Sequence, residues 1–547
     1  MTADESSTTP DSADLLRRTL LASGLGLAAA SCTTIGSGTT TGNGSPRPAT
    51  AGIGPFDTLR DYIAALDAAG LVVRIPRVDQ DTYEGTALAY QARDTLGMMS
   101  SPVLIFEEVR IDGRWVRGPV IVNESGHLMA ECLGFGLPAN RIDPVANLYT
   151  ARDHWVELLA ANGGKFPMIE PIEVPAADAL CKQVILRDEE IDLTRFAFIQ
   201  GNPADAGRYI NTGMCFIRDA EIGENFGTYR CHLRGPREIA VNSEPGQTGW
   251  RQLMAAKRRG EKMVRASIVL SPDPAVWLLS GSKLTGAGKS PNRELAIAGG
   301  LRGRPVPVVR CETNDYRVPA HAEMVIEGEI PLDDLRPEGP YAEMYGYQGL
   351  QKAEAFWMRV TAVTHRRDPW IMNNFTGVTR GTLAAPGQAQ SFVSLKSRIP
   401  AITNYFSDKE AVGVTLVAIR KTAAGEGLAV AKKICETQFT AKVVIVVDED
   451  LDVTSHEQML SALGARWQPA GSTHIYDDLV GMPLDPSAPR RGRTSKIAID
   501  ATRRWPSEDG PAVFPELNRT LLERGAPEAF ARSEAKWGEI IRAWRVV

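Results

Sequence analysis

The feature that most constrains the fold is a dense run of strand-like segments in the middle of the chain, from about residue 170 onward. These segments are rich in β-branched and aromatic residues, which suit a pleated sheet. They read CKQVILRD, RYINTGMCFIRD, MVRASIVLS, VPVVRCE, EMVIEGEI and FWMRVTAVTH. In the second segment, Ile210, Thr212, Met214 and Phe216 alternate with another set, which predicts one buried face. Such a block indicates a barrel or a sandwich.

Helix and strand patterns alternate before this block. In FDTLRDYIAALDAAGLVVRIP, residues 56–76, Thr58 can cap a helix, with Asp61 three residues later as a partial capping box. Gly70 is predicted to end the helix, and LVVRI is predicted to be a strand. This α/β pattern continues to about residue 165.

The alternation returns after about residue 380. GVTLVAIR and AKVVIVVDEDLDV have strand patterns, and AAGEGLAVAKKICET and HEQMLSALGAR have helix patterns. The order βαβα predicts a mainly parallel sheet with covering helices. The chain is therefore predicted to be an α/β multi-domain protein with four segments: a leader at 1–54, an N-terminal α/β domain at 55–168, a central β domain at 169–380 and a C-terminal α/β domain at 381–547.

The composition excludes several classes of protein. The net charge of −5 and the pI near 5.9 argue against a protein that coats nucleic acid, which would be basic. The seven cysteines form no C-x-x-C pair, so neither a disulfide framework nor a zinc site is indicated. No stretch reaches the roughly 18 apolar residues that a membrane-spanning helix needs.

The first fifty residues differ from the rest. Arg17 and Arg18 precede a short apolar run, Leu20–Ala30, which fits the apolar region of a signal peptide. A twin arginine in this position resembles a twin-arginine export signal. Cys32 follows Ala-Ala-Ser, so it is a candidate lipoprotein acceptor, although ordinary cleavage fits as well. We therefore expect export to the periplasm or cell envelope; the alternative is an unstructured leader on a cytoplasmic protein.

Two acids lie around a Gly-Pro turn in EGPYAEMYGY. Glu338 and Glu343 are five residues apart. Tyr341 lies between them, and Tyr345 and Tyr347 follow. Such a segment is commonly a solvated loop, because charged residues are usually exposed. The alternative is an acid/base pair whose environments separate the two pKa values.

Other candidate residues are weaker when taken singly. In NFGTYRCHLRGP, Asn225 can offer an oxygen to a hard cation and Arg230 a fork for a carboxylate, although a regular strand would place them on opposite faces unless Gly227 forms a bulge. Glu294 begins an apolar helix and is either a metal ligand or an acid favoured by the helix dipole. Lys496, in TSKIAIDATRRWP, is either an edge-strand lysine or a partner for a phosphate. GAGKS, residues 286–290, is not a P-loop, because Lys283 stands where the first glycine is required.

The order of these segments is specific where each one alone is not. NFGTYR, RELAIAGGLRG, ETNDYRVPAHAEMVIEGEI, PEGPYAEMYGY and SKIAIDATRRWP follow one another in a way that resembles the UbiD family of decarboxylases. The segments TLRDYIAALDAAGLVVRI and DEEIDLTRFAFI are similar to the family too, so the resemblance covers roughly residues 55–540.

The resemblance implies a fold, a reaction and cofactors. The central domain would be a split β-barrel of flavin-reductase type that binds prenylated FMN, and the C-terminal domain would dimerise. A UbiX-type prenyltransferase would supply the cofactor, and a divalent metal, typically Mn²⁺, often with K⁺, would tie its phosphate to the protein. The reaction would be reversible loss of CO₂ from an aromatic, heteroaromatic or α,β-unsaturated acid.

The resemblance also assigns roles to residues. Arg230, Glu338 and Glu343 match the family's catalytic network, in which Glu343 would donate the proton and Arg230 would hold the substrate carboxylate and keep Glu338 ionised. The resemblance also implies two sets of binding residues. The cofactor would be contacted by Thr228, Tyr229, Arg230 and Lys496, and the metal would be bound by Asn225 and Glu294.

Two departures from the family pattern are visible. The family's metal-binding histidine is missing from IAVNSEPGQTGWRQL, which leaves Glu244 or Gln247 as the third ligand, or a different metal shell. Ala342 precedes Glu343 where glycine is common. Two other functions remain open at this point: an exported flavin-binding protein without activity, and an oxidoreductase that uses ordinary FMN.

Overall fold

Strands dominate the middle of the chain and mixed α/β segments flank them. The computed structural model describes residues 54–282, 284, 293–407 and 410–543, which fall within one compact unit. The leader, including Arg17, Arg18 and Cys32, and the GAGKS segment lie outside these described residues.

The strands of the described residues are, in chain order, β1 Val72–Asp79, β2 Val103–Ile111, β3 Arg114–Val122, β4 Ile172–Glu173, β5 Val184–Arg187, β6 Tyr209–Ile210, β7 Met214–Asp219, β8 Gly223–Thr228, β9 Cys231–Gly235, β10 Glu238–Val241, β11 Met263–Leu270, β12 Pro307–Arg310, β13 Arg317–Pro319, β14 Met324–Pro331, β15 Arg336–Glu338, β16 Tyr341–Ala342, β17 Gln348–Gly349, β18 Lys352–His365, β19 Ile371–Asn373, β20 Ile402–Ser407, β21 Val414–Ile419, β22 Val443–Asp448, β23 Thr473–Val480 and β24 Arg493–Asp500.

The α-helices are α1 Leu59–Ala68, α2 Glu84–Leu96, α3 Met129–Leu133, α4 Pro144–Ala161, α5 Thr248–Arg258, α6 Pro274–Gly281, α7 Arg293–Arg302, α8 Ala385–Lys396, α9 Glu426–Thr437, α10 His456–Ala465, α11 Asn518–Gly525 and α12 Ala529–Ala543. Short 3₁₀ turns occur at Gln80–Thr82, Ala176–Asp178, Leu180–Lys182, Asp188–Glu190, Leu193–Arg195 and Pro506–Glu508. Among the described residues, no helix combines the length and the apolar character needed to cross a bilayer.

The central sheet has ten strands and is strongly curved. Its main path is β6-β9-β10-β18-β14-β11-β7-β8, and β15 and β5 also pair with β18. Consecutive strands lie near opposite ends of this path: β6 is joined to β7 by three residues, and β8 to β9 by two. A residue spans at most about 3.6 Å of extended chain, so the sheet must curve until its two ends approach each other. The path remains open, because no pairing between β6 and β8 is found.

Both faces of this sheet are buried over the segment that the sequence predicted to be half-buried. Met214 and Phe216 are buried as predicted, but so are their neighbours Cys215 and Ile217. One set packs with the apolar cluster that includes the N-terminal helices, and the other packs inside the curved sheet. Curvature thus gives the strand two apolar environments.

The N-terminal sheet is built from separate parts of the chain. Its order is β1-β2-β3-β19, so the last strand arrives from beyond the central sheet. The predicted start of the fold is confirmed: the Thr58 side chain accepts a hydrogen bond from the Asp61 amide at the start of α1, and Gly70 follows the helix with a φ of 71°.

The C-terminal sheet has the order β20-β21-β22-β24-β23. Its three inner strands are parallel, as the βαβα pattern predicts, and both edge strands are antiparallel. The six cysteines among the described residues are free and buried.

Candidate active site

Arg230 is positioned by the short connection between β8 and β9. The backbone N–H of Asn242, just after β10, donates to the Arg230 carbonyl at 3.1 Å. No bulge forms at Gly227, because β8 pairs with β7 in regular register through it. Instead the chain leaves β8 after Thr228, so Asn225 and Arg230 lie on different elements and need not share a face.

The two acids are held by short strands on either side of a turn. Glu338 ends β15, where it pairs with Lys352 of β18. Gly339 follows with a φ of 85°, in the left-handed region that glycine adopts readily, and its bond to Pro340 is cis. Glu343 follows β16, and its backbone N–H donates to the Tyr347 carbonyl at 2.8 Å. The turn therefore directs both acids to one side.

Arg230 binds both acids. Its Nε and Nη2 donate to the two oxygens of Glu338 at 3.1 and 2.8 Å, and its Nη1 donates to Glu343 at 2.5 Å. The side chains of Arg230, Glu338 and Glu343 are 8%, 0% and 17% exposed. Paired geometry of this kind is among the strongest that side chains form, and residues more than a hundred positions apart in sequence create it.

Burial and the neighbouring charges shift the pKa values of Glu343 and Arg230. Burial raises the pKa of Glu343, although the neighbouring Arg230 opposes the shift. Burial lowers the pKa of Arg230, but Glu338 and Glu343 raise it by more, so the guanidinium keeps its charge. Glu343 is thus the acid that retains its proton to higher pH than an exposed glutamate, which suits a proton donor.

Aromatic rings enclose the cluster. The Tyr209 hydroxyl donates to Glu338 at 3.0 Å, and the Arg230 guanidinium carbon lies 5.2 Å from the centre of the Tyr341 ring. The rings of Tyr209 and Tyr341 are 4.2 Å apart, and His232 stacks on Tyr209 at 4.8 Å. Of the three tyrosines in EGPYAEMYGY, Tyr341 therefore shields the ion pairs, whereas Tyr347 is exposed.

A second charged group, absent from the sequence-based site, lies beside this cluster. The Lys352 ammonium contacts one oxygen of Glu244 and Arg491 contacts the other, and Lys352 also donates to Asn242. Burial, Arg230 and Arg491 lower the pKa of Lys352 to about 7, even though its ammonium lies against a carboxylate. No motif marks Lys352 or Arg491, and the pairing of β18 with β15 and with β10 brings Lys352 here.

The predicted cofactor residues are distributed over two regions. The Thr228 hydroxyl lies 2.7 Å from that of Ser280, and the Tyr229 hydroxyl accepts from the Gly249 amide inside the protein core. Lys496 lies in β24, where its buried ammonium donates to the carbonyls of Cys435 and Gln438 at the end of α9. Thr228 and Tyr229 adjoin Arg230, whereas the contacts of Lys496 are within the C-terminal sheet.

The predicted metal ligands Asn225, Glu294 and Glu244 come from three separate segments of the chain. Asn225 is half-buried on β8, and Glu294 is buried in the first turn of α7. The two oxygens of the Glu244 carboxylate contact Lys352 and Arg491. Among the described residues, no group of three His, Cys, Asp or Glu side chains converges on one point.

The sequence matches two profiles of one family. Residues 172–379 match the "3-octaprenyl-4-hydroxybenzoate carboxy-lyase Rift-related domain" and residues 382–501 match the C-terminal domain of the same carboxy-lyase. An uncharacterized protein of Aeropyrum pernix is 30% identical over 349 residues, which are 62% of this chain and 69% of that protein.

Solved structures show the same fold. The UbiD-class enzyme HmfF from Pelotomaculum thermopropionicum, in complex with FMN, is 26% identical and superposes with a TM-score of 0.69 over 84% of this chain and 98% of its own. The Sedimentibacter hydroxybenzoicus vanillic acid decarboxylase in closed form, at 23% identity, has a TM-score of 0.71 over 89% of this chain and 99% of its own. With profiles across both its central and C-terminal regions and an arginine bound to two glutamates, the chain belongs to the UbiD family of carboxy-lyases.

Proposed function

We propose that the protein is a prenylated-FMN-dependent enzyme that reversibly decarboxylates an aromatic, heteroaromatic or α,β-unsaturated carboxylic acid. The observation that carries the proposal is the buried contact of Arg230 with both Glu338 and Glu343. Support for the cofactor comes from HmfF, whose structures contain FMN and, in an evolved dimeric form, prenylated FMN.

Each residue of the cluster has a task in this reaction. Glu338 is fully buried and holds Arg230 through two hydrogen bonds, which leaves the remaining N–H groups of Arg230 to orient the substrate carboxylate. Glu343 donates its proton to the carbon that loses CO₂, because its raised pKa keeps the proton available. The surrounding tyrosines limit the access of water to both ion pairs.

The residues present fit a polar cofactor at this edge of the sheet. The buried Ser243 hydroxyl has no hydrogen-bond partner among the described residues, and it adjoins Asn242, which bonds to the Arg230 backbone. A bound prenylated flavin would accept the negative charge that CO₂ loss leaves behind. We assign contacts with it to Thr228, Tyr229 and Arg230, and retain Lys496 as a phosphate contact to be tested. The central domain, in this proposal, is a split β-barrel.

The metal is a separate part of the proposal. We retain Asn225 and Glu294 as ligands of a divalent ion such as Mn²⁺, with K⁺ beside it. We retain Glu244 as the third ligand; in the protein alone its two oxygens contact Lys352 and Arg491, which a bound metal would displace. No step of the reaction above depends on the metal.

The test is co-expression with a UbiX-type prenyltransferase, followed by a screen of carboxylic acids for CO₂ release or for H/D exchange at the former carboxyl carbon. A prenylated-flavin absorbance spectrum with turnover supports the proposal. Bound flavin with no turnover on any acid would favour the non-catalytic flavin-binding protein, and hydride transfer would favour the oxidoreductase.

Export and assembly are further proposals. We propose that the twin-arginine leader exports the protein, which N-terminal sequencing of mature protein from fractionated cells tests. We also propose a homodimer formed through the C-terminal domain, which light scattering of the purified protein tests; a monomer at micromolar concentration would contradict it.

A further inference from the structure

Three basic side chains, Arg230, Lys352 and Arg491, lie close to three glutamates at this site. They differ in how many of their N–H donors are hydrogen-bonded. Arg230 donates through all three of its nitrogens to Glu338 and Glu343. Lys352 and Arg491 share a single carboxylate, that of Glu244. Two basic side chains therefore share one carboxylate next to the proton donor.

The donors of these two cations are only partly used. The Lys352 ammonium has three N–H donors and contacts Glu244 and Asn242. The Arg491 guanidinium has five, and its only described partner is Glu244. Their side chains are 21% and 50% exposed, so a ligand can reach both.

The position of the pair relates it to the substrate. Lys352 lies directly across from Glu338 in the ladder of β15 and β18, and Asn242, its hydrogen-bond partner, is bonded to the backbone of Arg230. The charge of Arg491 acts on Glu343. Both cations are therefore neighbours of the groups that handle the reacting carboxylate and the proton.

We propose that Lys352 and Arg491 form a second anion-binding subsite that takes a second carboxylate, or an equally acidic group, on the substrate. This inference rests on the proposed function and narrows the substrate class to dianionic acids. Glu244 bridges the two cations in the protein alone, as a ligand carboxylate would, and acts as their internal counter-ion. A bound dianion shares or displaces this contact.

The test is calorimetric binding to the cofactor-loaded protein, with benzoate compared against the 1,2-, 1,3- and 1,4-benzenedicarboxylates, and acrylate against fumarate. At least one diacid should bind about tenfold or more tightly than its parent, because a charge-assisted hydrogen bond contributes roughly one power of ten in affinity or more. Lys352→Met and Arg491→Gln should remove this gain while the affinity for the monoacid changes by less than about threefold.

Arg490→Gln is the matched control. Arg490 precedes Arg491 in the same loop but pairs with Asp478 at 2.7 Å, away from the cluster, so its loss should leave both affinities unchanged. Glu244→Gln should tighten diacid binding, because it removes the internal competitor. If the contacts of Glu244 were purely structural, Glu244→Gln would instead weaken the binding of diacids and monoacids alike.

Several outcomes would overturn the subsite. One is that every diacid binds with the same affinity as its parent monoacid. Another is that the two variants weaken the binding of diacid and monoacid equally. The third is a loss of cofactor absorbance in the variants, which would assign the two side chains to the cofactor phosphate. If Lys352→Met fails to fold, Arg491→Gln, at a half-exposed loop position, decides the result. Because affinity and CO₂ release are measured in separate experiments, a failure of the decarboxylase proposal shows separately, as absent CO₂ release.

Discussion

At the scale of single residues, the site depends on one buried guanidinium that donates hydrogen bonds to two acids. Burying charges is costly unless they are paired, and the desolvation of each partner must be offset by good geometry. Glu338 satisfies this condition through two bonds to Arg230 and one from Tyr209. Arg230 is therefore both a functional and a structural residue.

Arg230→Ala should abolish turnover and also destabilise the protein. It leaves Glu338 buried without a cation, and breaking a buried pair costs about 3–5 kcal/mol. Urea denaturation measures the loss in the free energy of unfolding, and CO₂ release measures activity. Lys262→Ala, which removes an exposed ion pair with Asp333, should change neither. A variant of Arg230 with wild-type stability would contradict the observed pairing.

Glu343→Gln should keep the fold and the bound cofactor but lower turnover by roughly 10²–10⁴-fold, because the amide accepts a bond from Arg230 yet carries no acidic proton. Steady-state CO₂ release, normalised to cofactor absorbance, measures the effect. Glu354→Gln, an exposed acid on β18, is the control. Activity within a few-fold of wild type would remove Glu343 from its role.

The pH dependence of turnover should have an alkaline limit set by Glu343. Its pKa is raised, so the proton is retained below that pKa and turnover falls as the pH rises through it. The groups acting on it are Arg230 and Arg491, which lower its pKa, and Glu338, which raises it. Arg491→Gln removes one lowering charge and should move the alkaline limit of kcat upward. A downward shift, or an equal shift in Arg490→Gln, would contradict this.

At the scale of elements, two very short strands place the proton donor. β16 and β17 pair only through Tyr341 with Gly349 and Ala342 with Gln348. A β-carbon on Gly349 would lie 2.7 Å from a carboxylate oxygen of Glu343, 2.9 Å from its γ-carbon and 2.9 Å from the backbone carbonyl oxygen of Tyr341. The glycine in this strand thus leaves the space in which the Glu343 side chain lies.

Gly349→Ala should lower turnover at least about tenfold while the protein remains folded, because small displacements of a reacting group cost large factors in rate. The matched control is Gly387→Ala in α8, where an added β-carbon meets nothing within 4 Å. Turnover and the melting temperature of both variants are compared. Full activity of Gly349→Ala would show that the Glu343 side chain is free to move aside.

At the scale of the whole molecule, chain segments cross between the sheets. β19 completes the N-terminal sheet from beyond the central one. Arg380 and the backbone N–H of Ala384 bind the fully buried Glu131 of α3. The N-terminal α/β region is therefore not a self-sufficient unit, although its sequence pattern is continuous.

A fragment of residues 54–168 should not fold cooperatively. It lacks β19, which exposes the paired edge of β3, and it leaves Glu131 buried without its cation. Far-UV circular dichroism during heating and size-exclusion chromatography test this. A fragment of residues 381–547 contains all five strands of its sheet and should show a cooperative transition. A sharp transition for 54–168 would refute the argument.

The amino-acid sequence by itself determined the local elements and the chemistry. Caps such as Thr58, β-branched runs and the βαβα order act over a few residues, so they can be read directly. The acid pair around Gly339 left a solvated loop and an acid/base pair both open, and the family resemblance favoured the second. The family resemblance implied that Arg230 meets the two acids, whereas the contacts around this cluster were decided by the tertiary structure alone. Lys352 lies beside Glu338 because β15 pairs with β18, and it reaches Glu244 because β10, which precedes Glu244, also pairs with β18. Strand pairing between remote segments follows from the packing of the whole core, and no local pattern encodes it.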